Sequence, residues 1–128
     1  MKISPPDAVE IRNIAGKGRG VFARHNIPAG TIFERAPLLI IPSRDVLGPQ
    51  TGVLLSNYIF EYGRGRVALA LGYGSLYNHS WTPNARYQDA GRRVKEFVAV
   101  SNISAGEEIT INYNGDSQDL SPVAFDVL

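Results

Sequence analysis

The sequence predicts a mainly β domain, and three observations support this fold class. Turn-forming segments rich in glycine, proline and asparagine recur every 8 to 15 residues along the chain. Between them lie short stretches of β-branched and aromatic residues, a pattern typical of many short strands. No stretch shows the sustained periodicity that a long helix requires. We therefore expect short strands joined by glycine- and proline-rich corners.

The elements follow in order along the chain. Strands are predicted at "VEIRNI", "TIFERAPLLII" and "EEITINY", whereas Thr51 to Tyr62 is ambiguous between a strand and a short helix. The two ends, residues 1–6 and 117–128, are predicted to be less constrained, and the second of them to form a flexible tail. A length of 128 residues indicates one domain, with its core at about residues 8–116.

Composition excludes several functions. Apolar residues make up 44% and charged residues 20% of the chain, as in ordinary globular proteins. The net charge of +1 predicts no direct contact with nucleic acid. The chain has no cysteine and two histidines, so we expect no disulfide, no cysteine nucleophile and no metal site. Its apolar runs are too short for a membrane span, and the absence of a secretory signal predicts an intracellular location.

One internal repeat stands out. Val21 to Phe33 matches Phe97 to Ile109 at an offset of 76 residues, and both copies contain Asn-Ile-x-Ala-Gly. Each copy is predicted to form a hairpin whose glycine, Gly30 or Gly106, adopts a positive φ. The alternative is convergence of two unrelated turns on a favourable sequence.

Two polar segments suggest ligand contacts. "GKGRG", Gly16 to Gly20, would let backbone N–H groups approach an anion or polar ligand. It is not a P-loop, because Lys17 is followed by Gly18 instead of serine or threonine. "YNHSWTPNA", Tyr77 to Ala85, places Asn-His-Ser at the edge of an apolar run, where a purely structural polar turn is the alternative.

A third segment, "GEEITINYN" from Gly106 to Asn114, ends an aliphatic strand in Tyr113. By default such a tyrosine is a core residue with a solvated hydroxyl. The order and spacing of "GKGRGVFA", "YNHSWTPNA" and "GEEITINY", however, resemble the SET-domain protein lysine methyltransferases, and the minimal viral and bacterial members in particular. The resemblance extends from about Ala8 to Asp116 and implies a β-clip fold with a knot-like crossing near the C-terminal strand.

The resemblance implies an enzyme that transfers a methyl group from S-adenosylmethionine to a lysine amine of a protein, with histones as a substrate class. Carried over, the cofactor would be held by the residues Lys17, Gly18, Arg19, Asn78, His79 and Tyr113. The alternative is a β-clip module that binds or oligomerises without catalysis. The resemblance to viral relatives also implies a homodimer, for which exposed aliphatic residues at Leu38 to Ile41 or Val53 to Leu55 could supply the contact.

Tyr113 matches the family's catalytic tyrosine, and Tyr58 is a second candidate. Tyr58, Tyr77 and Ile111 are expected to line the channel for the substrate lysine, with a core role as the alternative for Tyr58 and Tyr77. Ile111 occupies a position where many relatives carry phenylalanine or tyrosine. Because isoleucine has no hydroxyl to hold a water or the amine, it favours room for two or more methyl groups.

Overall fold

A computed structural model describes residues 2–16, 18–46 and 54–115 of the chain. The described residues form nine strands and two short 3-10 helices, so the predicted mainly β class is confirmed. The strands are β1 (Val9–Ile14), β2 (Gly18–Ala23), β3 (Ile32–Pro42), β4 (Ile59–Glu61), β5 (Arg66–Ala70), β6 (Asn78–His79), β7 (Ala85–Asp89), β8 (Val94–Ala99) and β9 (Glu108–Ile111). The 3-10 helices are Ser43–Asp45 and Leu54–Tyr58.

Two sheets enclose the core. One has the order β1-β2-β9-β6, in which β6 runs parallel to β9 and the other neighbours are antiparallel. The other is antiparallel throughout, with the order β4-β5-β3-β8-β7. The inward faces of both sheets share one buried apolar cluster, so the hydrophobic effect holds them together.

Strand β3 has 11 residues and is longer than the short strands that the turn spacing predicts. Its first part, Ile32–Pro37, pairs with β8, and its second part, Leu38–Pro42, pairs with β5. Pro37, which has no N–H to donate, occupies the position where the partner changes. One long strand therefore serves two neighbours.

The two repeat copies do not form separate hairpins, and this prediction was wrong. Strand β2 of the first copy pairs with β9 of the second, and β3 of the first pairs with β8 of the second. At the centre of this exchange, backbone groups of the two copies bond to each other. Ile27 N donates to Ile103 O, and Ile103 N donates to Ile27 O, both at 2.8 Å. The expected positive φ is present, at +85° for both Gly30 and Gly106.

Two asparagines complete this exchange. Asn26 Oδ1 accepts a hydrogen bond from Ala105 N, and Asn102 Oδ1 accepts one from Ala29 N, both at 2.9 Å. We call these four residues the asparagine clasp. Each asparagine of one copy thus satisfies a turn N–H of the other copy, and the arrangement has an approximate two-fold symmetry.

The ambiguous segment 51–62 contains both predicted alternatives. Within its described part, residues 54–58 form a 3-10 helix and residues 59–61 a strand.

Of the aliphatic residues proposed for a dimer contact, Leu39 is 52% exposed and Leu55 37% exposed. Leu38 instead belongs to the core, because inward and outward side chains alternate along β3. Val53 and the tail, residues 117–128, lie outside the described residues.

Candidate active site

The site is built at the β6–β9 crossing, where residues 78–80 lie beside residues 110–113. Asn78 pairs with Thr110 and His79 with Ile111, and Ser80 N donates to Ile111 O at 2.9 Å. Asn84, near the other end of the "YNHSWTPNA" segment, binds β9 through two hydrogen bonds. Asn84 Nδ2 donates to Glu108 O at 2.8 Å, and Asn84 Oδ1 accepts from Thr110 N at 2.9 Å. The polar residues of this segment therefore attach it to the final described strand.

His79 is buried, with 4% of its surface exposed. Its Nδ1 accepts a hydrogen bond from Tyr113 N at 2.9 Å, so the neutral ring carries its proton on Nε2. Burial lowers the pKa of His79, which favours this neutral form. Within the described part of the chain, Nε2 has no hydrogen-bond partner. His79 thus orients Tyr113 with one nitrogen and leaves a buried donor on the other.

Tyr113 lies in the turn that follows β9, and its ring meets the His79 ring edge-on at 5.2 Å. Its hydroxyl donates to the backbone carbonyl of Tyr77 at 2.5 Å. Burial, with the nearby Tyr58 and Glu108, raises the pKa of Tyr113 to about 12. The hydroxyl is therefore protonated at neutral pH and acts as a fixed dipole instead of a base.

The carbonyl that accepts this bond belongs to a residue held rigidly in the core. The Tyr77 ring stacks on Phe97 with centroids 4.6 Å apart and meets Phe33 edge-on at 5.9 Å. The Tyr77 hydroxyl donates to Glu34 Oε1 at 2.6 Å. Tyr77 thus borders the site with its backbone, while its ring, expected in the channel wall, is only 1% exposed.

Glu34 is a residue that the sequence analysis missed. It is 3% exposed, and its Oε2 accepts a second hydrogen bond, from Tyr73 N, at 2.9 Å. Burial raises the pKa of Glu34, although both hydrogen bonds oppose this shift. The available signal was a carboxylate next to the buried Phe33 in a largely apolar strand, where a buried carboxylate requires partners.

The first glycine loop lies against Asn78. The Nδ2 atom of Asn78 donates to Arg19 O at 3.0 Å and to Glu108 Oε2 at 2.8 Å. At Gly20, a Cβ atom would stand 2.5 Å from Ile14 Cδ1 and 2.7 Å from Glu108 Oε2, so a larger residue would displace the ends of these two side chains. The structure therefore brings Arg19 to Asn78.

Of the other loop candidates, Gly18 adopts a φ of +83°, which suits a glycine. Lys17 lies outside the described residues.

A cavity of about 590 Å³ adjoins the crossing, and its volume is in the range of small-ligand sites. It is lined by all of the predicted catalytic and channel residues, namely Tyr58, Tyr77, Ile111 and Tyr113. None of Gly18, Arg19, Asn78 and His79 lines it. The candidates therefore divide into a group around the cavity and a group around the glycine loop, and Tyr113 contacts residues of both groups.

The cavity wall also contains a buried lysine that the sequence analysis missed. Lys95 is 3% exposed, and its Nζ donates to Asp89 Oδ1 at 2.8 Å. The same nitrogen lies 4.9 Å from the ring centroid of Phe60 and 5.0 Å from that of Tyr87. Charge pairing and cation–π contacts together compensate its burial. No group of three or more metal-ligating side chains occurs in the described part of the chain.

Comparison with known proteins defines the class. The SET-domain family model matches residues 18–114. A Schizosaccharomyces pombe enzyme, histone-lysine N-methyltransferase, H3 lysine-37 specific, is 34% identical over 106 residues, which is 82% of this chain and 72% of the relative. The crystal structure of a candidate histone methyltransferase from Plasmodium falciparum superimposes with a TM-score of 0.71 at 31% identity, covering 87% of this chain and 95% of that one.

The chain therefore belongs to the SET-domain family, and its class is that of the protein-lysine methyltransferases. The predicted family, fold and enzyme class are confirmed. No helix in the described ranges is long and apolar enough to cross a membrane.

Proposed function

We propose that this enzyme uses S-adenosylmethionine to methylate a lysine amine in a histone-like protein, with Tyr113 aligning the reacting groups. The observation that carries the proposal is the fixed position of Tyr113. Its backbone N–H is bound to His79 and its hydroxyl to the Tyr77 carbonyl, beside a cavity of suitable size. Reaction rates depend on such alignment, because a positioned pair of groups avoids the entropic cost of meeting.

The residues around the glycine loop fit the cofactor. One observation supports this: the buried Nε2 of His79 is a donor without a partner among the described residues, and a ligand acceptor would satisfy it. Gly18, Arg19, Asn78 and His79 would hold the cofactor, with Lys17 and Tyr113 beside them. When bound, S-adenosylmethionine supplies a methyl group on a positively charged sulfur.

Two oxygens of the chain are suited to hold the methyl group in line with the incoming nitrogen. They are the Tyr77 carbonyl and the Tyr113 hydroxyl, which lie 2.5 Å apart. Oxygens of this kind can make weak C–H···O contacts to a polarised methyl. Because the Tyr113 hydroxyl keeps its proton, it acts by orientation and not by proton abstraction.

The substrate amine must lose its proton before it attacks, since a free lysine has a pKa of about 10.4. The positive charge on the sulfur of the bound cofactor would disfavour a second positive charge at the amine. The Lys95 ammonium already present in the wall acts in the same direction, although its pairing with Asp89 offsets part of the effect. We propose that Tyr58 and Ile111 border the amine, and that Ile111 leaves room for two or more methyl groups.

The substrate class rests on the relatives, two of which are described as histone methyltransferases. A histone tail is rich in lysine and arginine. The exposed Glu61, which lines the cavity, would favour the approach of such a positively charged segment, whereas the charge of Asp89 is paired with Lys95.

The test combines binding and transfer. Isothermal titration of the purified chain with S-adenosylmethionine should show binding, and incubation with core histones and labelled cofactor should label lysine. His79→Ala and Asn78→Ala should each weaken cofactor binding by roughly tenfold to a hundredfold, the usual cost of a lost ligand hydrogen bond with an unmet partner. Asn26→Ala, in the asparagine clasp, is the control and should bind normally. Folded His79 and Asn78 variants with normal cofactor affinity would exclude this site.

A further inference from the structure

Three exposed turns meet at one end of the five-stranded sheet. Arg93 N in the β7–β8 turn donates to the Tyr62 hydroxyl of the β4–β5 turn at 3.1 Å. Ser43 N of the first 3-10 helix donates to Gly65 O of the same β4–β5 turn at 2.9 Å. These three segments and the first residue of β5 carry five exposed arginines, which we call the arginine patch: Arg44, Arg64, Arg66, Arg92 and Arg93.

The charge of this patch is largely uncompensated. Among the described residues, its ion pair is Arg44 with Asp45, a long contact of 3.9 Å between exposed side chains. Elsewhere Arg12 and Arg35 approach carboxylates to 2.9 Å. Five of the 13 lysine and arginine residues of the chain thus lie in the patch, although the whole chain has a net charge of only +1. The distribution of charge, more than its sum, decides which partners are attracted.

Arg93 provides an independent observation. Its φ is +60°, and among the described residues it is the one residue other than glycine that has a positive φ. Glycine or asparagine would adopt this conformation at lower cost. Backbone strain of this kind is retained where a side chain has a function. Here it occurs at an exposed arginine whose backbone N–H joins two of the turns.

The patch is adjacent to the cavity. Strand β4 ends at Glu61 and β7 at Asp89, which both line the cavity, and the next residues of each strand enter the arginine-bearing turns. A ligand on the patch would therefore lie beside the site that we assign to the substrate lysine.

We propose that the arginine patch binds the phosphodiester backbone of a nucleic acid on which the protein substrate is carried. Guanidinium groups bind phosphate oxygens in a bidentate manner, and arginines spread over three turns suit a linear array of phosphates better than a single anion. A basic histone tail would be repelled by the patch, whereas the DNA that it wraps would be attracted. The choice of a histone-associated nucleic acid rests on the proposed function, but the binding itself does not.

The test is fluorescence anisotropy with a labelled random-sequence DNA duplex and the full chain without cofactor. Four neutralised phosphates predict a slope of about −3.6 for log K against log salt concentration, or roughly a hundredfold loss of affinity between 50 and 200 mM salt. The Arg64→Gln/Arg92→Gln variant should reduce that slope by about two. The Arg12→Gln/Arg24→Gln variant, which has the same net charge, should retain it.

Equal effects in the two double variants, or no salt-dependent binding, would overturn the proposal. Preferential binding of polyglutamate over DNA would also overturn it and would assign the patch to an acidic protein. In a further arm, Arg93→Gly should weaken DNA binding severalfold without lowering the urea midpoint. Unchanged DNA affinity in this variant would refute the role of Arg93. Because no methyl transfer is measured, failure here leaves the proposed function intact.

Discussion

The asparagine clasp and the β6–β9 crossing use similar interactions for different purposes. In both, asparagine side chains bind backbone groups of a distant segment. The clasp is symmetric, with each asparagine oxygen accepting one N–H of the other copy. The crossing is asymmetric. His79 Nδ1 accepts a hydrogen bond from Tyr113 N, yet the buried Nε2 has no partner in the described residues. The cavity adjoins the crossing at Ile111 and Tyr113.

This difference indicates that the clasp stabilises the fold, whereas the crossing forms a ligand site. A buried donor without a partner costs about 1–3 kcal/mol, so a structure optimised only for stability would satisfy it. At the clasp, both asparagine oxygens have a partner. At the crossing, the Nε2 donor of His79 stays without one, and an acceptor atom of a bound ligand would satisfy it. Changes at the clasp should therefore affect stability, and changes at the crossing should affect ligand binding or turnover.

The largest expected effect is on turnover. Tyr113→Phe removes the hydroxyl that donates to the Tyr77 carbonyl while keeping the ring beside His79. Loss of one positioned polar group at a reacting centre typically costs about 2.7–4 kcal/mol, or roughly a hundredfold to a thousandfold in turnover. Single-turnover methyl transfer measures this effect. Cofactor affinity should change little, and the free energy of unfolding should fall by only about 1 kcal/mol for the lost hydrogen bond.

The pH dependence sharpens this test. Because the pKa of Tyr113 is about 12 and no base is assigned, the rate should increase from about pH 7 to pH 9 as more substrate amine is deprotonated. A Tyr113→Phe enzyme within threefold of the wild type would contradict the assigned role. A rate maximum near neutrality would instead indicate a titrating base, and His79 or Glu61 would have to be considered.

At the clasp the expected effect is on stability alone. Asn26→Ala and Asn102→Ala each remove one exposed side chain–backbone hydrogen bond, which predicts a loss of about 1 kcal/mol in the free energy of unfolding. The approximate symmetry predicts similar losses for both, measured by urea denaturation. Loss of cofactor affinity in these variants, with the fold intact, would remove the distinction between the two regions.

The smallest effect concerns stability against pH. Since burial lowers the pKa of His79 in the folded state, the unfolded chain binds a proton more readily below about pH 6.5, and stability should fall with acidification. Glu34 acts oppositely: its raised folded pKa means that acidification toward its unfolded pKa of about 4.3 adds stability.

Urea unfolding between pH 8 and pH 5 measures how much His79 contributes to the pH dependence of stability. His79→Gln should flatten the decrease below about pH 6.5, whereas the same substitution at exposed His25 controls for the loss of a histidine. An unchanged pH profile in His79→Gln would show that His79 does not titrate in this range.

Local patterns in the sequence determined the fold class, the turn positions and the polar segments of the site. Turn residues and alternating apolar residues act over a few positions, so the strands and the positive φ of both repeat glycines were predictable. The three polar segments identified the family through their order and spacing, and Tyr58, Tyr77, Ile111 and Tyr113 do line one cavity.

Only the tertiary structure decided how these segments pair and which groups support them. The repeat copies carry the same sequence pattern whether each closes on itself or pairs with the other, and only the packed core selects the exchange. Glu34 acquires its two partners from the connection between β5 and β6, across separations of 39 and 43 residues. Lys95 pairs with the nearby Asp89, but the Phe60 ring that covers it comes from the distant strand β4. Burial, and therefore the pKa shifts of His79 and Tyr113, exists only once both sheets have closed around the crossing.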